Sequence, residues 1–145
     1  MRYNIYCNLK TISDNHKKAI AEFEKRLSIY CDTNLYCMTT LSLSKEVVKD
    51  NHFVIYLLDG PSTYTSEGFA QYLQHLQLTG ISTIHILIGF DEKAIYEAFS
   101  GFENNSIPNF MSLSRSRLST ETKTLLFYEQ LYRGYTIIQG KTYHK

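Results

Sequence analysis

Two apolar runs constrain this chain more than any other feature. Phe53-Val54-Ile55-Tyr56-Leu57-Leu58 is almost continuously apolar, and so is Thr83-Ile84-His85-Ile86-Leu87-Ile88. A strand with one wet face alternates polar with apolar side chains, whereas a strand covered on both faces does not. Both runs end in turn residues, Asp59-Gly60-Pro61-Ser62 after the first and Gly89 after the second. Two strands buried on both faces require helices above and below the sheet they share.

The rest of the chain supplies those helices. Tyr3, Ile5 and Cys7 alternate through an opening strand at Arg2 to Asn8. Ser13 or Asp14 can cap a helix reaching about Tyr30, with Ile20, Phe23, Leu27 and Tyr30 at helical spacing. Asn34 to Thr40 reads as a strand, and Ser42 to Asn51 is short and polar. Thr65 to Leu78 is helical, with Phe69, Tyr72, Leu73 and Leu76 on one face. Asp91 to Phe102 reads as a helix, Phe110 to Leu113 as a short strand. A final helix opens at Ser119 or Thr120 and carries Leu125, Tyr128, Leu131, Tyr132 and Tyr135. This order predicts one α/β domain over residues 1–145, with a mostly parallel sheet flanked by helices. In such sheets ligands sit beyond the C-terminal ends of the strands. The loops to watch are therefore Leu57 to Gly60, Ile88 to Phe90, and the segment after Leu113.

Composition excludes some classes. No apolar run approaches the roughly 18–20 residues that span a bilayer, so no membrane partner is expected. The start of the chain passes directly into a strand pattern, without a signal-peptide profile. Cys7, Cys31 and Cys37 have no zinc-site spacing and read as reduced thiols of a cytoplasmic protein. The net charge of +1 excludes coating of nucleic acid by bulk charge. The distribution is more informative. Arg115 to Lys145 holds six basic and two acidic residues, the remainder nine and twelve. A basic C-terminal third can present a local phosphate-binding face, or simply be a solvated helix and tail.

Few residues carry chemistry by type alone. Gly89 allows close backbone approach to a ligand. Phe90 can stack on a ligand ring or cap the core. Arg115 and Arg117, among Ser112, Leu113, Ser114, Ser116 and Leu118, can wrap a polar ligand and contact phosphate. His16, His52 and His75 lack ligand spacing, and His85 reads as a core histidine. There is no Cys/His metal site, no phosphate loop and no Ser-His-Asp arrangement, so no metal is expected.

Several segments jointly resemble a known family. They are Ala19-Ile20-Ala21-Glu22-Phe23-Glu24-Lys25-Arg26-Leu27, Val54-Ile55-Tyr56-Leu57 with Ser66-Glu67-Gly68-Phe69-Ala70, Ile86-Leu87-Ile88-Gly89, and Met111-Ser112-Leu113-Ser114. The tail Tyr128-Glu129-Gln130-Leu131-Tyr132-Arg133-Gly134-Tyr135 to Tyr143-His144-Lys145 completes the set. In this order they resemble the ribosomal RNA large-subunit methyltransferase H family, small knotted (SPOUT-class) enzymes. The resemblance implies a C-terminal trefoil knot, a feature nearly absent elsewhere and not readable from periodicity. It also implies S-adenosylmethionine as cofactor and a homodimer in which each tail completes the partner's site. The implied substrate is ribosomal RNA in the assembled ribosome, methylated at N3 of a pseudouridine.

Carried over by position, Leu57, Gly89, Phe90, Leu113, Ser114, Arg115, Ser116, Arg117 and Leu118 would hold the cofactor. Tyr143, His144 and Arg133 would serve catalysis. Arg115, Arg117, Arg133, Lys141 and Lys145 would face RNA. Three positions depart from the family pattern. Phe90 stands where a second glycine is usual, with bulk that can obstruct the cofactor loop unless it caps the core. Ser119-Thr120 replaces Pro-His, and Thr124 replaces an arginine. Two other readings stay open: a homologue that binds RNA or ribosomes without transferring methyl, and a dimeric protein-interaction module with a tyrosine-rich surface.

Overall fold

The computed structural model describes residues 1–61, 64–102 and 109–143. Five strands form one sheet: β1 (Arg2–Cys7), β2 (Asp32–Cys37), β3 (His52–Leu58), β4 (Thr83–Ile88) and β5 (Asn109–Ser112). Their order is β2-β1-β4-β3-β5 and every pairing is parallel. The two apolar runs are β3 and β4, adjacent at the centre, where both faces are covered. Three helices lie between strands, α1 (Asp14–Leu27), α2 (Ser66–Leu78) and α3 (Glu92–Phe99), and a fourth, α4 (Thr120–Ile138), follows β5.

Strand alternation sorts side chains into two cores. Tyr3, Ile5, Cys7, Ile55, Leu57, Ile84, Ile86 and Ile88 face α1, α2 and α4. Val54, Tyr56 and Leu87 face Ile95 and Phe99 of α3 and Val47 of a single 3-10 turn at Lys45–Val48. Helix α4 packs against both α1 and α2. Gly134 permits its approach to α2, because a Cβ there would lie 3.3 Å from Leu73 Cδ1 and 3.8 Å from Ala70 Cα.

Several boundaries differ from the sequence reading. Helix α1 stops at Leu27, where Ser28 Oγ donates to the Lys25 carbonyl (2.7 Å) and competes with the helix ladder. Ser13 sits at its N-cap position without making a capping bond; its hydroxyl pairs with His16 Nδ1 instead. Strand β2 runs Asp32–Cys37 rather than to Thr40, since its pairing with β1 ends where β1 ends at Cys7. Helix α3 spans only Glu92–Phe99, and β5 begins at Asn109 and ends at Ser112.

Candidate functional site

Parallel pairing brings all five strand ends to one edge. Leu57 is in register with Ile88 on one side and with Met111 on the other, and Leu58 with Ser112. Residues just beyond those positions form the rim: Asn8, Gly89, Asp59 and Leu113.

Short hydrogen bonds tie the rim together. Ser112 Oγ donates to the Gly60 carbonyl (2.9 Å) and the Ser114 carbonyl (3.0 Å), and Gly60 N donates back to Ser114 O (3.3 Å). Asn8 Nδ2 donates to the Gly89 carbonyl (3.0 Å), while Asn8 N takes the Ile88 carbonyl (3.0 Å). Residues 113–119 then return the chain from the sheet edge to Gly89, where α4 begins. Ser119 caps α4 by accepting from Thr122 N (3.2 Å). Lys123 in the first turn pairs with Asp59 at 3.3 Å.

Gly89 is required by geometry. Its φ is +83°, and a Cβ would stand 2.5 Å from Thr120 Oγ1 and 2.7 Å from Thr120 Cγ2. The loops after β3, β4 and β5 therefore converge, as the strand-end rule predicts. The segment 113–118 lies outside helix and strand; Ser114 O accepts from Gly60 N and Ser112 Oγ, and Ser116 N donates to Ser114 Oγ (3.1 Å).

Phe90 caps the core, as one of its two sequence readings has it, and its side chain does not stack on a ligand at this loop. Its side chain is 2% exposed and packs with Tyr56, Leu87, Ile95 and Phe99 on the opposite side of the sheet. Tyr56 donates its hydroxyl to the Phe90 carbonyl and fixes that turn. Leu57 is likewise buried in the core, so it can offer only backbone. Leu113, Ser114 and Leu118 are half-buried, and Arg115, Ser116 and Arg117 are exposed. Thr124, in place of the family arginine, is fully buried and back-bonds to the Thr120 carbonyl (2.8 Å).

The tail residues assemble elsewhere. Helix α4 ends in a Schellman turn: Gly140, at φ +67°, donates to Ile137 O (3.0 Å), and Lys141 N to Thr136 O (2.8 Å). The chain then folds back along α4. The Tyr143 ring lies 4.8 Å from the Tyr132 ring and 5.4 Å from the Arg133 guanidinium, and its hydroxyl donates to Glu129 Oε1 (3.3 Å). Burial is the main cause that raises the Tyr143 phenol above its usual range, followed by the Glu129 charge. Arg133 is paired with Glu129 at 2.6 Å. Lys141 donates to the Tyr30 hydroxyl (2.7 Å). His144 and Lys145 lie outside the described residues.

The two halves of the expected site are thus apart within one chain. Thirteen residues separate Thr120 from Arg133 along one helix, about 20 Å at 1.5 Å per residue. A depression of about 460 Å³, lined by Arg2, Glu24, Ser28 and Asp32 among others, lies at the opposite, N-terminal end of β1 and β2.

Sequence reasoning missed Asn8, the Asp59–Lys123 pair and His16. His16, in the first turn of α1, lies 2.8 Å from Ser13 Oγ and faces α4, 3.5 Å from Thr122 Oγ1 and 3.9 Å from Glu121. The contacts with α4 join residues about a hundred positions apart, and no local pattern marks them. Among the described residues no group of three metal-ligating side chains occurs, and no helix is long and apolar enough to cross a membrane.

The sheet order, the flanking helices and the strand-end rim define a parallel α/β fold with its sheet covered on both faces. The profile of a family described as "Predicted SPOUT methyltransferase" matches residues 1–144. The chain is 32% identical to ribosomal RNA large subunit methyltransferase H of Clostridium botulinum (strain Okra / Type B1), over 89% of this chain and 90% of that protein. It is 30% identical to the protein of the same name in Flavobacterium johnsoniae, over 93% of each. With ribosomal RNA large subunit methyltransferase H 1 of Thermoanaerobacter sp. (strain X514) it shares 27% identity over the full length of both. The chain belongs to the SPOUT-fold methyltransferase H family.

Proposed function

We propose that this protein is an S-adenosylmethionine-dependent RNA methyltransferase that acts on large-subunit ribosomal RNA, at N3 of a pseudouridine. The observation that carries this reading is the convergence at Gly89 of the loops after β3, β4 and β5, with the Phe90 side chain turned into the core. The names of the similar proteins supply the RNA substrate class.

Leu57, Gly89 and the segment 113–118 would hold the cofactor through backbone groups, which suits a ligand with an adenine ring and a cationic amino-acid tail. When bound, the cofactor supplies an electrophilic methyl group on a sulfonium sulfur. The chain's own residues must hold the base in line with that group, since orientation is the larger part of such a transfer. The N3–H must also lose its proton before nitrogen can attack. In this reading His144 would accept that proton. Tyr143 offers a ring for an unpaired base. Arg133 and Lys145 favour the developing anion. Arg115 and Arg117, both exposed on the segment 113–118, extend the rim toward phosphates.

Arg133 lies about 20 Å along α4 from Thr120 at the rim, and the reading takes the protein as a homodimer in which one copy's tail meets the other copy's rim. The decisive assay is transfer of labelled methyl from S-adenosylmethionine to ribosomes or large-subunit RNA lacking the modification. The expected result is transfer that disappears when Tyr143–Lys145 are deleted. Cofactor binding with no transfer to any RNA would favour the binding homologue. That reading draws on Thr120, which packs on Gly89 where the family has histidine.

A further inference from the structure

We propose that Cys7 and Cys37 are a reversible dithiol–disulfide pair, a modification site at the edge of the rim. Cys7 ends β1, Cys37 ends β2, and the two residues are direct register partners in a parallel pairing. Register partners in a sheet point to the same face. The two Sγ atoms are 3.6 Å apart. Neighbouring strands lie about 4.8 Å apart, inside the range of about 4.4–6.8 Å between Cα atoms that a disulfide spans. The third thiol, Cys31, is buried at the start of β2, the far end of the sheet, and has no such neighbour among the cysteines.

Access is divided between the two thiols as the chemistry requires. Cys37 is exposed and Cys7 is fully buried. The Cys37 thiolate attacks a low-molecular-weight disulfide, and one thiolate of that reagent leaves and takes a proton. The Cys7 thiolate then attacks Cys37 Sγ and expels the second thiolate, its own proton going to solvent. The protein loses two electrons and two protons, and the reagent is reduced to two thiols. Burial is the main cause pushing the Cys7 thiol up to about 12, which lowers its thiolate fraction in the second step. The backbone around the pair is already fixed. Met38 N and Leu9 N both donate to the Cys7 carbonyl, at 3.0 and 2.9 Å, so closure falls to side-chain rotation. Disulfides in a reducing compartment are transient or sensing ones, and an exposed thiol with a resolving partner has that form. Asn8, which follows Cys7, holds the Gly89 carbonyl, so the pair lies one residue from the cofactor rim.

The test treats the full chain with oxidised glutathione, blocks the remaining thiols by alkylation, and maps the cysteines by mass spectrometry. Two of the three thiols per chain should be lost, in a Cys7–Cys37 linked peptide, with Cys31 alkylated and the Cys7 and Cys37 thiols recovered after dithiothreitol. Cys31→Ser should link as fully as the unaltered chain, and Cys37→Ser should form no link. A glutathione adduct persisting on Cys37 with Cys7 free, a Cys37–Cys37 link between chains, or three unreacted thiols would each overturn the proposal.

Discussion

Gly89 is fixed by two independent constraints, a left-handed φ and the lack of room for a Cβ beside Thr120. Gly89→Ala should therefore cost about 1–3 kcal/mol in denaturant unfolding and abolish binding of S-adenosylhomocysteine. A variant that binds normally would remove Gly89 from the site. His85 makes a different prediction. It is buried between Tyr6 OH (3.2 Å) and His52 Nδ1 (2.9 Å), as a core histidine should be. Burial, and then the neighbouring His52, lowers it from 6.5 to about 4. The unfolded chain thus binds the proton more readily. Stability is fully present above about pH 6.5 and falls as pH drops toward about 4, by up to about 3 kcal/mol. Urea midpoints measured between pH 4 and 7 should show that slope, and His85→Leu should flatten it. The role of His85 was legible from an apolar run interrupted by one polar residue. The core-capping reading of Phe90 also holds, although only the Ile95 and Phe99 side chains of α3 show which core it joins.

At the scale of elements, α4 carries the site at both ends. Its first turn is held by the Ser119 cap and the Asp59–Lys123 pair, and its last by the Schellman turn at Gly140. Lys123→Ala should lower stability by about 1 kcal/mol or less, because a partly exposed pair contributes little. It should weaken cofactor binding more than that figure suggests, by loosening the 59–61 loop; equal binding would show the loop to be held by Ser112 alone. Gly140→Ala places a side chain at positive φ, at a cost of about 1 kcal/mol. It should reduce methyl transfer by misplacing Tyr143 while leaving cofactor binding intact. The elements themselves were readable from the sequence, since nine strand and helix segments occur in the predicted order. Their ends were not, because pairing limits such as Cys7 with Cys37 set them rather than local propensity.

For the whole molecule, sequence periodicity implied layers but neither strand order nor knot. The order β2-β1-β4-β3-β5 depends on which helix crosses which face, and only family resemblance anticipated the rest. The separation of rim and tail emerges at this scale alone. Mixing a Gly89→Ala chain with a chain lacking Tyr143–Lys145 should regenerate activity through mixed dimers, each holding one intact rim facing one intact tail. Two inactive parents that stay inactive together, despite exchange, would place both halves in one chain. The central claim, that the rim is a working cofactor site, is tested most directly by calorimetric titration of the folded protein with S-adenosylhomocysteine. The account predicts saturable binding at micromolar affinity. No heat of binding up to millimolar ligand, with ribosomes absent or present, would contradict it.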